Sequence, residues 1–415
     1  MTKIIKLAWR NLLRYRRRTL LTGSLIALSV VAVLLFVSLS GSFKNLMIGQ
    51  MTDSMLGHLQ VHRRGYVASI DNSPLNLNLQ PTAVTRVEAA LKGVPDVVAW
   101  SSRVKLAAGF SNFQETTSIK LNGIDPEKEA LTTPGLAKRV IAGDVSKGLV
   151  ARGEMLIPEL LAKGMKVNVG DTAVLIATNR DGSVNGKTFV VRGVLEGMTG
   201  PGGRDGYLHV DDARELLRMD KPEVSEIAVR LADFGRLDRA TAAIRAALDD
   251  VKAKDGKPAI EVHTWEALSP FSSIAKMIDL MTVSIKVMLV AIVLISIMNV
   301  MVMAVYERIR EIGTLAALGT QPGQILSLFL AESVLLGLVG IAVGTAISVG
   351  AVMVMNARTV SFAFGRQESL ALAPTLGAGE VLTVGAMVLA MAVLAGLHPA
   401  WKASRMDPIK ALRHV

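Results

Sequence analysis

Charge is almost absent from four stretches of the chain. One runs from Arg18 to Lys44 and another from Lys286 to Glu307. A third, from Ile325 to about Met355, is broken only by Glu332, and the fourth lies between Glu380 and Lys402. A helix needs about 20 predominantly apolar residues to cross a bilayer, so each stretch predicts a membrane span. The first has a basic flank like a signal peptide's. Its apolar core is longer than a signal peptide's, however, and no Ala-x-Ala-like site follows, so it is expected to be a retained anchor.

Between the first two spans the pattern changes to short periods. GHLQVHRRGY (57–66), TSIKLNGID (117–125) and GKTFVVRGVLEGM (186–198) alternate as strands do. PTAVTRVEAALKGV (81–94) has helical spacing with a glycine stop, and DDARELLRM (211–219) and GRLDRATAAIRAALDDVKAK (235–254) read as helices with charged faces. GEMLIPELLAKGMKVNVGDTAVLIA (153–177) is expected to form a helix, a turn and then a strand. The fold class is therefore a membrane protein: four transmembrane α-helices with a large α+β extracytoplasmic domain of small βαβ-like units between helices 1 and 2. The Gly-rich stretch TGPGGRDG (199–206) reads as a loop, and it lacks the Lys-Ser/Thr of a phosphate-binding loop.

Charge then orients the chain. Of its 415 residues 51% are hydrophobic, which excludes a disordered chain, and the formal net charge is +11. The excess lies beside the spans, at Lys3, Lys6, Arg10, Arg14, Arg16, Arg17 and Arg18, and again at Lys402, Arg405, Lys410 and Arg413. Residues 41–282 are nearly neutral, with 30 bases against 29 acids. The charge is thus a topological signal and not a nucleic-acid footprint. Both termini are expected in the cytoplasm and the large domain outside it. The resulting order is a cytoplasmic amphipathic helix (1–19), span one (20–42), the outer domain (43–280), span two (281–306) and an inner helix and loop (307–325). Span three (326–355), a short outer loop (356–380), span four (381–398) and a cytoplasmic tail (399–415) complete it. In the first segment Ile4, Ile5, Leu7, Ala8, Leu12 and Tyr15 fall roughly on one helical face, which fits a helix lying on the membrane.

Catalytic chemistry is hard to find. There is no cysteine, and no HExxH, GxSxG or Walker motif occurs. His58 and His62 would share a strand face, but no carboxylate third ligand is near in sequence, so surface or structural histidines are expected and no metal site. Polar residues inside spans carry the stronger signal. Lys286 can snorkel at a span end. Asn299 lies mid-span, where it could hydrogen-bond across a helix interface. Glu332 lies one to two turns inside span three and could pair with Arg308 or Arg310. Gly340 and Gly344 make a small-xxx-small pair for close helix packing, within the bundle or between protomers. The inner segment ERIREIGTLAALGTQPGQI (307–325) predicts a helix stopped by Gly319 and Pro322. Its net charge of zero makes it a poor topogenic signal and suggests a contact with another protein.

These residues resemble a known family. MNVMVMAVYERIREIGTLAALGT (298–320) resembles the ABC transporter permeases that include the macrolide-exporter, lipoprotein-release and cell-division permeases. HPAWKASRMDPIKALR (398–413) resembles that family's closing segment. AWRNLLRYRRRTLLT (8–22), GHLQVHRRGY and LLAKGMKVNVGDTAVL (160–175) resemble its lipoprotein-release-like branch. Ala316 stands where the family often has a base, and Lys410 where it often has Glu.

The resemblance implies a mechanism. Two permeases pair, as two copies or with a sister permease, each on a cytoplasmic ATPase subunit that binds ATP and Mg. This chain itself would bind no cofactor. The segment Glu307–Leu318 would dock into the ATPase through Glu307, Arg308, Arg310, Glu311, Ile312, Gly313 and Leu315, with Ile312 and Leu315 as apolar anchors. Work done inside would be relayed to the outer domain. The expected function is extraction of lipoproteins or other amphiphilic cargo from the bacterial inner membrane. The alternatives are efflux with a periplasmic adaptor and an outer-membrane duct, a non-transporting regulator of a cell-wall hydrolase, and a membrane sensor with no ATPase.

Overall fold

The computed structural model describes residues 2–197, 204–253, 255–268, 271–358, 361–364, 367–371, 373–408 and 411. The chain divides into two compact units. One gathers residues 1–45, 276–362 and 369–415; the other is essentially residues 46–275. The Gly-rich stretch at 199–203 lies outside the described residues, as do Lys410 and Arg413 of the tail.

The first unit is helical. An amphipathic helix (Thr2–Arg14) leads into the first-span helix (Arg16–Met51). The second-span helix (Phe271–Glu307), a short helix (Ile309–Ala317), the third-span helix (Pro322–Ala357) and the fourth-span helix (Ala378–Ser404) follow. The four long ones are long and apolar enough to cross a membrane. The first two extend beyond their apolar stretches, to Met51 and back to Phe271. There Lys44 Nζ meets Asp279 Oδ2 at 2.7 Å, joining the two helices where their side chains have become polar. Hydropathy marks where apolar surface ends, whereas backbone hydrogen bonding carries the helix further. The segment 356–380, expected as a loop, includes a two-stranded hairpin of Ser361–Phe364 and Gln367–Ala371.

Glycines set the helix spacing. A Cβ placed at Gly344 would lie 2.7 Å from Val30 Cβ and 2.8 Å from the Ala27 carbonyl oxygen, and one at Gly340 would lie 2.8 Å from Ile26 Cβ. The third span therefore seats the first directly on its backbone, and the small-xxx-small pair packs inside this chain. Gly337 faces Ala392 and Gly396 faces Ser333 in the same way, drawing the third and fourth spans together. Ile26, Val30, Leu34, Val293, Ile297, Met301, Phe329, Val388 and Ala392 fill the bundle between them. The amphipathic helix divides its apolar residues. Ala8 and Leu12 are buried, whereas Ile5, Leu7, Trp9 and Leu13 are exposed. The single face expected from sequence is thus split: a buried strip, on a helix that packs on the third span, and an outward strip.

The second unit is built on ten strands: β1 (Leu59–Arg63), β2 (Val97–Ser111), β3 (Thr116–Ile124), β4 (Val140–Gly143), β5 (Glu154–Pro158), β6 (Thr172–Thr178), β7 (Val184–Leu195), β8 (Gly206–His209), β9 (Glu226–Leu231) and β10 (Ile260–Thr264). The order β10-β1-β9-β2 is antiparallel throughout. Helices Pro81–Lys92 and Leu237–Leu248 connect β1 to β2 and β9 to β10, which is the split βαβ arrangement. Their residues Val87, Leu91 and Ile244 pack with Leu59, Val61, Val229 and Val262 of the strands. β2 then runs on into a second layer. There β2, β3, β8, β5, β7 and β6 pair in succession, and β6 returns to β2, closing a ring of six strands. Val104, Leu106, Ala108 and Phe110 alternate into its core with Leu175, Phe189 and Leu208. The α+β reading holds, with split βαβ units around an inserted ring. The run 153–164 departs from its expected helix. Its Met155, Leu156 and Ile157 form the buried strand β5 between β8 and β7, and only Glu159–Gly164 is helical. A short continuous apolar run buried on both faces has no period to distinguish the two.

The glycine spacing gives a test. Gly344→Ala is expected to lower bundle stability by about 1–3 kcal/mol through overpacking against Val30. Gly350→Ala, with nothing within 4 Å of its Cβ, is expected to be neutral or stabilising. Thermal unfolding in micelles compares the two.

Candidate functional site

The end of the bundle that carries the short helix holds a connected set of charges. The second-span helix stops at Glu307, and Arg308 leaves helical geometry (φ −114°, ψ 19°) before the short helix starts at Ile309. That break turns the Arg308 side chain inward. Its Nη1 donates to Glu332 Oε1 at 2.9 Å, and its Nε donates to Glu311 Oε2 at 2.8 Å. Asn11 Nδ2 of the amphipathic helix donates to the same Glu332 oxygen at 2.6 Å. Arg14 approaches Glu311 at 3.6 Å, and the Arg308 guanidinium lies 5.5 Å over the Phe329 ring. Glu332 is 1% exposed and Arg308 6%. Burial opposes the Arg308 charge, but Glu332 and Glu311 outweigh it and raise its pKa above the usual arginine value. One carboxylate inside a span thus binds two separate segments of chain.

The short helix ends as its sequence suggests. Leu318 caps it, Gly319 adopts φ +87°, and the Thr320 amide donates to the Leu315 carbonyl at 3.0 Å, which is a Schellman stop. Pro322 then opens the third span at a position where its missing N–H leaves no gap.

The expected docking residues separate into two groups. Ile312 is 2% exposed and sits with Val305, Phe329 and Ala400 in the bundle core, so it is not an outward anchor. Arg308 and Gly313 are also buried, and Glu311 and Leu315 are half-buried. Glu307 and Arg310 face outward, joined by Thr314 and by Leu318, which is 79% exposed. Sequence reasoning missed Leu318 and Asn11. The spacing of Val305, Ile309, Ile312 and Ala316 was the available sign that Ile312 points inward, because it traces one helical stripe.

Family models cover both units. The MacB-like periplasmic core domain matches residues 19–247 and the FtsX-like permease C-terminal domain matches residues 283–408. The chain belongs to the MacB/FtsX-like family of ABC transporter permeases. A lipoprotein-releasing system transmembrane protein LolC of Neisseria meningitidis is 25% identical to the permease over 94% of this chain and 92% of its own length. A macrolide export ATP-binding/permease protein MacB of Nitrobacter winogradskyi is 32% identical over 55% of this chain, a match that spans 34% of that relative. An uncharacterized ABC transporter permease YknZ of Bacillus subtilis is 39% identical over 29% of this chain and 28% of its own. The apolar helices and the family together make the permease a protein of the bacterial inner membrane.

The remaining candidates fall elsewhere. Asn299 is exposed on the second span, and its side chain bonds no other described residue, so it does not bridge spans within the permease. Lys286 is half-buried, about 31 Å along the helix from Glu307 at a rise of ~1.5 Å per residue. Lys402 Nζ donates to the Tyr306 hydroxyl at 3.3 Å and ties the fourth span to the second. His58, just before β1, and His62 within it are both buried: His62 stacks on Tyr66 at 5.2 Å beside Glu226, and His58 Nδ1 accepts the Leu231 amide at 3.1 Å. Among the described residues no group of three His, Asp or Glu could hold a metal.

Two measurements test these roles. Arg308→Met leaves Glu332 buried with Asn11 alone and is expected to lower stability in micelles by about 3–5 kcal/mol. Arg310→Met, on the exposed side, is expected to change it by no more than about 0.5 kcal/mol. Separately, burial and then Arg230 lower the His58 pKa to about 4 from 6.5. The neutral ring is needed to accept the Leu231 amide, and the unfolded chain takes up the proton first. Its stabilisation is therefore complete above pH 6.5 and lost as pH falls toward about 4. Hydrogen exchange at Leu231, corrected for intrinsic rate, is expected to rise over that window and to lose this dependence in His58→Gln.

Proposed function

We propose that the permease couples ATP hydrolysis on a separate cytoplasmic ATPase to movement of its large domain, and that this movement extracts lipoproteins or other amphiphilic cargo from the inner membrane. The outward strip Glu307, Arg310, Thr314 and Leu318 carries the reading. It is an exposed strip of two charges, a hydroxyl and a leucine that runs from the end of the second-span helix along the short helix to its cap, backed by the buried Arg308–Glu332 pair. A rigid short helix with an apolar knob fits helix-in-groove docking. Leu318 replaces Ile312 as the anchor, and Glu307 and Arg310 supply the ion pairs. ATP and Mg belong to the ATPase. The basic segments before span one and after span four support a cytoplasmic position for that face and both termini and a periplasmic one for the large domain.

The cargo reading is supported by the lipoprotein-releasing LolC of Neisseria, which matches nearly end to end. Efflux with an adaptor is the second reading, favoured by the greater identity, over a shorter stretch, to the macrolide exporter.

Pairing with a second copy has its own support. On the second span Met288, Ile292, Ile295, Asn299, Met303 and Tyr306 are exposed at three- and four-residue spacing. Asn299 lies about 12 Å from Glu307 along the helix, inside the apolar region. An amide there needs a partner, and a polar residue within such a stripe sets register between helices.

The test is ATP hydrolysis in the purified permease–ATPase complex. Leu318→Glu is expected to reduce permease-stimulated hydrolysis by roughly 10-fold, the scale of one lost buried anchor at an interface, with membrane insertion intact. Unchanged stimulation would sink the docking assignment. Mass spectrometry of what copurifies from native membranes separates the cargo readings: lipoproteins support release, and an adaptor with an outer-membrane duct supports efflux.

A further inference from the structure

We propose that the amphipathic helix Thr2–Arg14 is a moving part of the coupling machinery, carried by the short helix through the Asn11–Glu332–Arg308 link. The proposal rests on the docking reading above and deepens it.

The polar contacts close a ring. Asn11 binds Glu332, Glu332 binds Arg308, Arg308 binds Glu311, and Glu311 faces Arg14, three residues on from Asn11. The links differ in strength. Arg14–Glu311 is long and exposed, and such pairs contribute little. Asn11–Glu332 is a 2.6 Å hydrogen bond to a buried carboxylate, which a low-dielectric surrounding strengthens. Asn11 is therefore the connecting residue. The bond does not cap a helix or fill a gap between spans. It holds one helix to the site where another is gripped.

The outward side of the amphipathic helix gives this link a mechanical meaning. Ile5, Leu7, Trp9 and Leu13 are exposed beside Lys6 and Arg10. That combination seats a helix at the boundary between acyl chains and anionic headgroups. A short helix displaced by the ATPase would then drag a helix embedded in the leaflet, so the bilayer becomes a load on the stroke. Asn11 is a positioning residue in this scheme, acting through Glu332.

The experiment uses the full chain with its ATPase in nanodiscs containing anionic lipid. The absence of cysteine lets Lys6→Cys and Ala317→Cys carry spin labels as the only thiols of the permease. Pulsed dipolar spectroscopy reads the distance between the two helices, without nucleotide and with ATP plus vanadate. The expected result is one narrow distance in both states when Asn11 is present. Asn11→Leu, similar in shape but without the donor, is expected to broaden that distance and lengthen it with nucleotide. It is also expected to reduce stimulated hydrolysis by roughly 10-fold, the scale of one hydrogen bond to a charged group. Asn11→Gln is expected to recover both readouts. A narrow distance in both states of Asn11→Leu would overturn the link. So would a nucleotide-dependent distance in the unsubstituted protein, because the helices would then move separately. Should Asn11→Leu fail to insert, Asn11→Ala, which also lacks the donor, is read the same way. Leu318→Glu separates the two proposals. If it leaves stimulation intact, the docking reading fails. If it abolishes stimulation while Asn11→Leu changes nothing, only the link fails.

Discussion

A carboxylate buried within a membrane span is the constraint around which the helical unit is arranged. Glu332 is stable there because Arg308 neutralises it and Asn11 completes its hydrogen bonding. An isolated ionised carboxylate in apolar surroundings would be prohibitively costly. Both partners must therefore be delivered to one point from different segments. The helix break at Arg308 delivers the first, since a continuous second-span helix would carry that side chain elsewhere. Packing of Ala8 and Leu12 into the bundle delivers the second. The short helix is thereby held with Ile312 inward and Leu318 outward.

Legibility in the sequence followed the range of the interaction. The spans were visible because twenty apolar residues leave little else to infer. The stop at Gly319 and Pro322 was visible because it depends on the backbone preferences of those residues alone. The Arg308–Glu332 pair was among the options because a charge in a span needs an opposite charge nearby. Asn11 was not, since a neutral amide on a surface helix announces no partner 321 residues away. Ile312 faces the bundle and not the expected contact for a different reason. The family resemblance marks the segment as a contact, but only the phase of the helix says which residues face the contact. In the large domain the alternating runs of β1, β3, β6 and β7 are legible in the sequence, whereas β2, β9 and β10 are named only by the structure, and β5, buried on both sides, has no period to set it apart from helix.

The small residues of the third span have a complementary role. Gly340 and Gly344 remove side chains where Ile26 and Val30 approach, so the first and third spans meet almost backbone to backbone. The second span has the least buried apolar window of the four. Rigidity and exposure are thus unequally distributed: spans one, three and four form a close-packed frame, and the second span presents a wide apolar face with one amide in it.

β2 links the two halves of the large domain without a joint. Its 15 residues extend for about 50 Å at ~3.3 Å each. Its first part is laddered to β9 in the open sheet and its second part to β3 and β6 in the closed ring. A ring has no free edge along which a strand can slip, and the ladder to β9 resists sliding for the same hydrogen-bonding reason. The strand is therefore a tie rod in the mechanical sense, loaded in series with both halves. A pull on the sheet reaches the ring as displacement instead of being absorbed in a hinge, and the domain responds to force as one lever.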